Sequence, residues 1–469
     1  MTTKPIVLLV LATALLGGCA SLSRAPSEFA ATPHPANPQV YEHRLANGLK
    51  VIVKQDHRAP VVVSQIWYKV GSSYEHSGIT GVSHVLEHMI FKGTEKHPPG
   101  EFSRIIAANG GRENAFTGRD YTAYFQQLEK SRLPVSFELE ADRMRNLVLR
   151  EDEFRKEIQV VMEERRTRTE DNPQALTYEQ FNATAYVNSP YHAPVIGWMD
   201  DLENMTVDDL ARWYQSWYAP NNATLVVVGD VQAGEVFALA ERYFGDIPPA
   251  EIPRLKPRRE IPQRGERRIK VKAPAQVPFL IMGYKTPSVV DAEAEWEPYA
   301  LEMLLGILDG GTSARLTREL VRGQQIAASI GASYDSFSPY QEVFSISATP
   351  AQGVSVAALE QAIRRQLERL QQEPVGEDEL QRVKAQVVAA KVYEKDSIFY
   401  QAMTIGMLET IGLGWPLGEQ YVDRLKAVTA AQVQAVARKY FHDDTLTVAV
   451  LEPQTEALQD HTEGNRHAH

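Results

Sequence analysis

Cysteine is nearly absent: Cys19 is the only one in 469 residues. No internal disulfide can form, so packing and hydrogen bonds must hold the fold. Excess basic charge is missing too, with 49 Lys and Arg against 60 Asp and Glu, a net charge of −11. Phosphate binding needs clustered cations, so this balance argues against a nucleic-acid partner. No apolar run is long enough to span a bilayer as a mature helix; the run from Ile6 to Leu16 is too short. What is present is the composition of a globular protein, 43% hydrophobic and 23% charged. The length exceeds one ordinary core, so two domains or more are expected.

The N-terminus has its own logic. Lys4 precedes the apolar run, and residues 1–18 read as a secretory signal. The segment Leu16-Gly17-Gly18-Cys19 resembles a bacterial lipobox, in which the cysteine is lipidated and becomes the first mature residue. Ala20, rather than Asp, favours the outer membrane, with the protein facing the periplasm. Residues 19–38, rich in Ser, Ala and Pro, read as a lipidated tether.

The remaining chain reads as α+β: two similar domains of mixed or antiparallel sheet flanked by helices. The first spans residues 39–246 and the second 268–455, with a Pro-rich linker at 247–267 and a polar, disordered tail at 456–469. In the first domain, Val40–Leu45, Leu49–Gln55 and Val61–Val70 read as strands, with Asn47-Gly48 a turn. Gly81–Phe91 has helical spacing, and Glu151–Arg168 reads as a helix ended by Asn172-Pro173.

His84 and His88 are four residues apart, so on a helix both imidazoles leave one face and can reach one metal. Glu87 lies on the same side, placed to take a proton from a metal-bound water. This is the H-x-x-E-H order. One match in a chain with 12 His is not decisive alone. A catalytic zinc needs a third protein ligand and a free position for water. Glu157 and Glu164 are seven apart, two helical turns, on one face with Val160 and Val161 between them; that face is expected to be buried. Two buried carboxylates need a cation or donors. Glu163 points about a quarter turn away, toward solvent. Glu164 is therefore assigned as ligand and Glu157 as the group orienting a ligand histidine. Without the histidine motif, this stretch would read as an ordinary charged helix.

These five residues, with Gly111-x-x-Asn114-Ala115-x-Thr117-x-x-Asp120-x-Thr122-x-Tyr124 and the later Trp217-Tyr218-Ala219-Pro220-Asn221-Asn222, resemble the pitrilysin (insulinase) family of zinc peptidases. The match is to the branch of short bacterial and mitochondrial-processing-peptidase-like members. The resemblance implies half of a peptidase clamshell that admits unfolded peptides. It implies one Zn2+ per chain on His84, His88 and Glu164, with Glu87 as general base on its water. Substrate would add as a strand along Asn114 and Ala115. A non-catalytic assembly or scaffold subunit of the same fold is the alternative; such members lose motif residues, and all five are present here. One departure matters. Complete members carry an Arg and a Tyr seven residues apart in the second half, where this chain has Val321 and Ala328, with Arg322 and Ser329 one place on. A separate zinc-less partner chain is expected to supply the pair; a homodimer would lack it as well.

Overall fold

In the computed structural model, residues 31–454 are described. The signal segment, Cys19, most of the tether and the polar tail lie outside the described residues. No helix among those described is long and apolar enough to cross a membrane.

Seven strands form the first sheet: β1 (Pro33–His34), β2 (Asn37–Arg44), β3 (Lys50–Gln55), β4 (Val61–Tyr68), β5 (Arg112–Thr117), β6 (Thr122–Glu129) and β7 (Ala223–Gly229), in the order β1-β2-β3-β7-β4-β6-β5. The second has five: β8 (Arg267–Ala273), β9 (Phe279–Thr286), β10 (Ala327–Ser333), β11 (Glu342–Pro350) and β12 (Leu446–Pro453), in the order β10-β11-β9-β12-β8. Strand order and sense repeat. The pair β3–β7 is parallel and so is β8–β12; the other pairs of both five-strand cores are antiparallel. By this correspondence β10 occupies the edge position of β5. Ordered strand starts earlier than expected: Pro33–His34 already pairs with β2, which begins at Asn37 rather than Val40, so the end of the region read as tether is strand.

Each sheet is covered on one face by helices of its own half and on the other by a helix that crosses from the other half. All of β7 is buried. Its Leu225 and Val227 face the main core of the first half. Val226 and Val228 face the other way, onto Ala402, Ile405 and Trp415, which belong to or adjoin the helix Ile398–Thr410 from the second half. In return, the helix Pro173–Ala185 of the first half lays Phe181 and Ala185 on Ile281, Ala449 and Leu451 of the second sheet. Each crossing is seated by a glycine opposite an aromatic ring. A Cβ on Gly283 would lie 2.3 Å from Phe181 Cζ, and one on Gly406 would lie 2.1 Å from Trp67 Nε1.

Of the helices that the sequence reading does not find, two are hidden for physical reasons. Asn172-Pro173 reads as a stop, yet it starts a helix: the Asn172 side chain accepts from the Gln174 and Ala175 N–H groups, and Pro173 sits at the first helical position, where its missing N–H costs nothing. The Ile398–Thr410 helix buries residues on more than one face, so it carries no amphipathic stripe.

Gly406→Ala tests the crossing. The helix would gain about 1 kcal/mol of intrinsic propensity, but a buried methyl clashing with fully buried Trp67 costs more. The expected result is a net loss of about 1–2 kcal/mol, read from the urea unfolding midpoint.

Candidate metal centre

The helix Val82–Met89 buries Val82, Val85, Leu86 and Met89 against the first core, the i, i+3, i+4, i+7 stripe of a helix packed on one side. Its other side carries His84, Glu87 and His88. The start of this helix has no capping side chain of its own, since Gly81 stands at the N-cap with φ 88°. A buried carboxylate from an earlier turn takes that place: Gly81 N–H donates to Glu75 Oε2 at 2.7 Å and Ser83 N–H to Glu75 Oε1 at 2.9 Å. Gly81 is also required by space, because a Cβ there would lie 2.5 Å from the Ile196 carbonyl oxygen.

Glu164 comes from the helix Glu151–Arg165, packed through Phe154, Ile158, Val161 and Met162. Val160 does not join them. It is 48% exposed, so the buried face expected between Glu157 and Glu164 is a correction: only Val161 of the pair points inward. The two carboxylates are sheltered nonetheless, with side chains 14% and 16% exposed, because the histidine helix lies beside them. Glu163 is 69% exposed, 3.2 Å from Arg166.

His84, His88 and Glu164 offer ligand atoms that all lie within 4.8 Å of one another. Glu164 Oε2 is 3.5 Å from His88 Nε2 and 3.9 Å from His84 Nε2. Bonds of about 2.1 Å in a tetrahedral zinc site put ligand atoms about 3.4 Å apart, so the group fits such an ion with little movement. Burial, with His88 and Arg168 nearby, pushes the His84 pKa down to about 3. Its imidazole is therefore neutral, as a metal ligand must be.

Around this group the side chains pair in a definite way. His88 Nδ1 lies 3.3 Å from Glu157 Oε2, and the other Glu157 oxygen is 2.5 Å from Lys92 Nζ. Lys92 follows His88 by four residues, one turn along the same side, a spacing that could have announced it. Glu87 accepts a hydrogen bond from the Thr117 hydroxyl. Burial raises its pKa, opposed by that hydrogen bond. Thr117 and Glu75 are partners that no spacing rule reveals, because strand pairing and the chain path bring them to the helix.

Asn114 and Ala115 stand on β5, the edge of the first sheet. They line the same cleft of about 550 Å³ as His84, Glu87, His88 and Glu164. Asn114 Oδ1 accepts from the Ala115 N–H at 2.9 Å, while the outer edge of β5 pairs with no strand among the described residues. Just past β5, buried Asp120 accepts from Ser73 Oγ at 2.7 Å and Tyr191 Oη at 2.5 Å, and Tyr191 Oη also meets Ser338 Oγ of the second half at 2.8 Å. The turn beside the cleft is thereby tied to both halves. In the second half, Val321 and Arg322 fall in a π-helical turn, Thr317–Gly323, and Ala328 and Ser329 on β10. None of the four lines the cleft. The helix Glu297–Asp309, which follows β9 much as the histidine helix follows β4, is packed almost entirely with apolar residues and contains no histidine.

Residues 50–197 match the family model described as insulinase (peptidase family M16), and residues 204–387 match that of the peptidase M16 inactive domain. A Helicobacter pylori protein named zinc protease PqqE is 33% identical over 422 residues, spanning 87% of this chain and 92% of that protein. The crystal structure of a protease from Helicobacter pylori superposes with a TM-score of 0.83 at 32% identity, covering 88% of this chain and 99% of that one. The periplasmic protease PqqL of Escherichia coli shares the fold, with a TM-score of 0.75 at 19% identity; 91% of this chain matches 49% of that one. With the sequence relatives and the fold in agreement, the chain belongs to the insulinase family of peptidases, family M16.

Proposed function

We propose that the chain is a zinc-dependent endopeptidase that cleaves unfolded peptides. The observation that carries this reading is the convergence of His84, His88 and Glu164 with Glu87 beside them on one cleft wall. Relatives named zinc proteases support it. Zinc, when bound, supplies a Lewis acid that activates water near neutral pH. Glu87 accepts the proton of the attacking water and returns it to the leaving amine. Thr117 holds the Glu87 carboxylate in place. Glu157, anchored by Lys92, fixes the ring of His88 so that Nε2 faces Glu164. Asn114 and Ala115 offer peptide main chain a free strand edge.

Glu87→Gln should retain stoichiometric zinc and lose cleavage of a quenched, unstructured peptide by about 10²–10⁴-fold, with chelator abolishing wild-type activity. Full activity in a zinc-loaded Glu87→Gln protein would refute the general-base role.

The second half lacks the Arg and Tyr of complete members, so we assign the pair to a zinc-less partner chain. The single chain should then cleave at least about tenfold more slowly than the mixture with a partner carrying the pair. Equal rates with and without every candidate partner would dismiss it. The lipobox-like segment ending at Cys19 supports an outer-membrane lipoprotein facing the periplasm. Cys19→Ala should move the protein from the membrane to the soluble fraction of its host, and an unchanged distribution would rule out the anchor.

A further inference from the structure

The cleft holds one charged side chain that the proposed reaction leaves without a role. Arg168 is the only Lys or Arg among the residues lining it. It sits in a π-helical turn, Arg166–Glu170, that continues the Glu164 helix, with the Asp171 N–H donating to the Arg166 carbonyl at 2.8 Å. Single π-turns of this kind recur at functional sites. Arg168 Nη1 lies 2.5 Å from Glu164 Oε1. The other oxygen of that carboxylate faces the two imidazoles. Glu164 therefore looks toward the metal position with one oxygen and toward the guanidinium with the other.

Charge and exposure say what this guanidinium is free to do. Glu157 is matched by Lys92. A divalent ion on the histidines would be matched by Glu164 and Glu87. Arg168 is then the unbalanced charge of the cleft. Its side chain is 74% exposed, against 16% for Glu164, so a single contact with Glu164 leaves most of its five N–H donors open. A planar guanidinium pairs bidentately with a carboxylate, the common anion of a peptide. The chain as a whole carries −11, a field that disfavours acidic ligands, so away from the metal position a carboxylate depends on a local cation to be accepted.

We propose that Arg168 is a specificity-determining residue that pairs with a carboxylate of the peptide lying in the cleft, either an acidic side chain near the scissile bond or the free C-terminus. This rests on the peptidase reading above. The test uses the zinc-loaded full chain carrying Glu87→Gln, so that bound peptide survives, and fluorescence anisotropy with labelled peptides. One neutral, C-terminally amidated peptide carries a single Glu walked along its length, each version compared with its Gln and Lys twins; one more version keeps the neutral sequence with a free C-terminal carboxylate. Zinc content and circular dichroism are checked for every variant.

A carboxylate at one location should bind about fivefold tighter than its uncharged twin, as a solvent-accessible ion pair allows. Adding Arg168→Gln should erase the difference, Arg168→Lys should keep part of it, and Arg168→Glu should turn the preference toward Lys. The location separates a side chain from the terminus as the source. A Glu-to-Gln ratio unchanged by Arg168→Gln overturns the assignment, as does equal binding of all versions or none. If charge discrimination follows residue 168 but the wild type, with partner, cleaves nothing, the peptidase reading fails and the assignment of Arg168 stands. Cleavage of neutral peptides with no charge preference has the opposite meaning.

Discussion

The reciprocal crossing of two helices is the constraint on which the rest of the structure depends. Each sheet has a buried face that its own half does not cover. Pro173–Ala185 closes the second sheet and Ile398–Thr410 closes the first. The seats are specific: Trp67 under Gly406 and Phe181 over Gly283 leave no room for even a methyl group. Because both crossings must be satisfied together, the halves cannot slide past one another without opening apolar surface on both sides. The two-half unit is thus mechanically one body, and the cleft wall inherits that stiffness.

The candidate metal site formed by His84, His88 and Glu164 depends on this stiffness. Its ligand atoms come from two helices distant in sequence, so their separation depends on how those helices pack. The histidine helix is fixed by its apolar stripe, by the Glu75 carboxylate at its start and by the tight approach of Gly81 to Ile196. The turn after β5, which also carries Thr117, is fixed by Asp120 and Tyr191 and reaches Ser338 in the second half. Side chains that must meet within a few tenths of an ångström are therefore supported from behind by groups that never face the cleft.

Much of this was legible in the sequence where chemistry is local. The i, i+4 histidines and the choice of Glu164 over Glu163 follow from helix geometry alone, and exposure separates the two glutamates as that geometry requires. The same reasoning failed at Val160, because a helix packed along one side turns part of its apolar pattern to solvent. The repeated strand order was visible only as a vague alternation, since the second half kept the fold without the residues: where the first half has its histidines, Glu297–Asp309 has Leu, Met and Ile. Partners such as Glu75 and Thr117 are set by the path of the whole chain and leave no trace in spacing.

The parallel pair of each sheet, β3–β7 and β8–β12, has a consequence for the order of folding. Lys50 pairs with Thr224, so the first sheet stays split until β7 has been synthesised. Between β8 and β9 sits β12, the last strand of the described chain, which holds the second sheet together. Until it arrives, β8 and β9 have no common neighbour and present unsatisfied edges. The Ile398–Thr410 helix that covers the first sheet also emerges only shortly before it. A growing chain therefore cannot complete either half early and store it. Pairings this distant in sequence fold slowly. The polypeptide therefore keeps unpaired strand edges and an uncovered sheet face until the Ile398–Thr410 helix and β12 have joined.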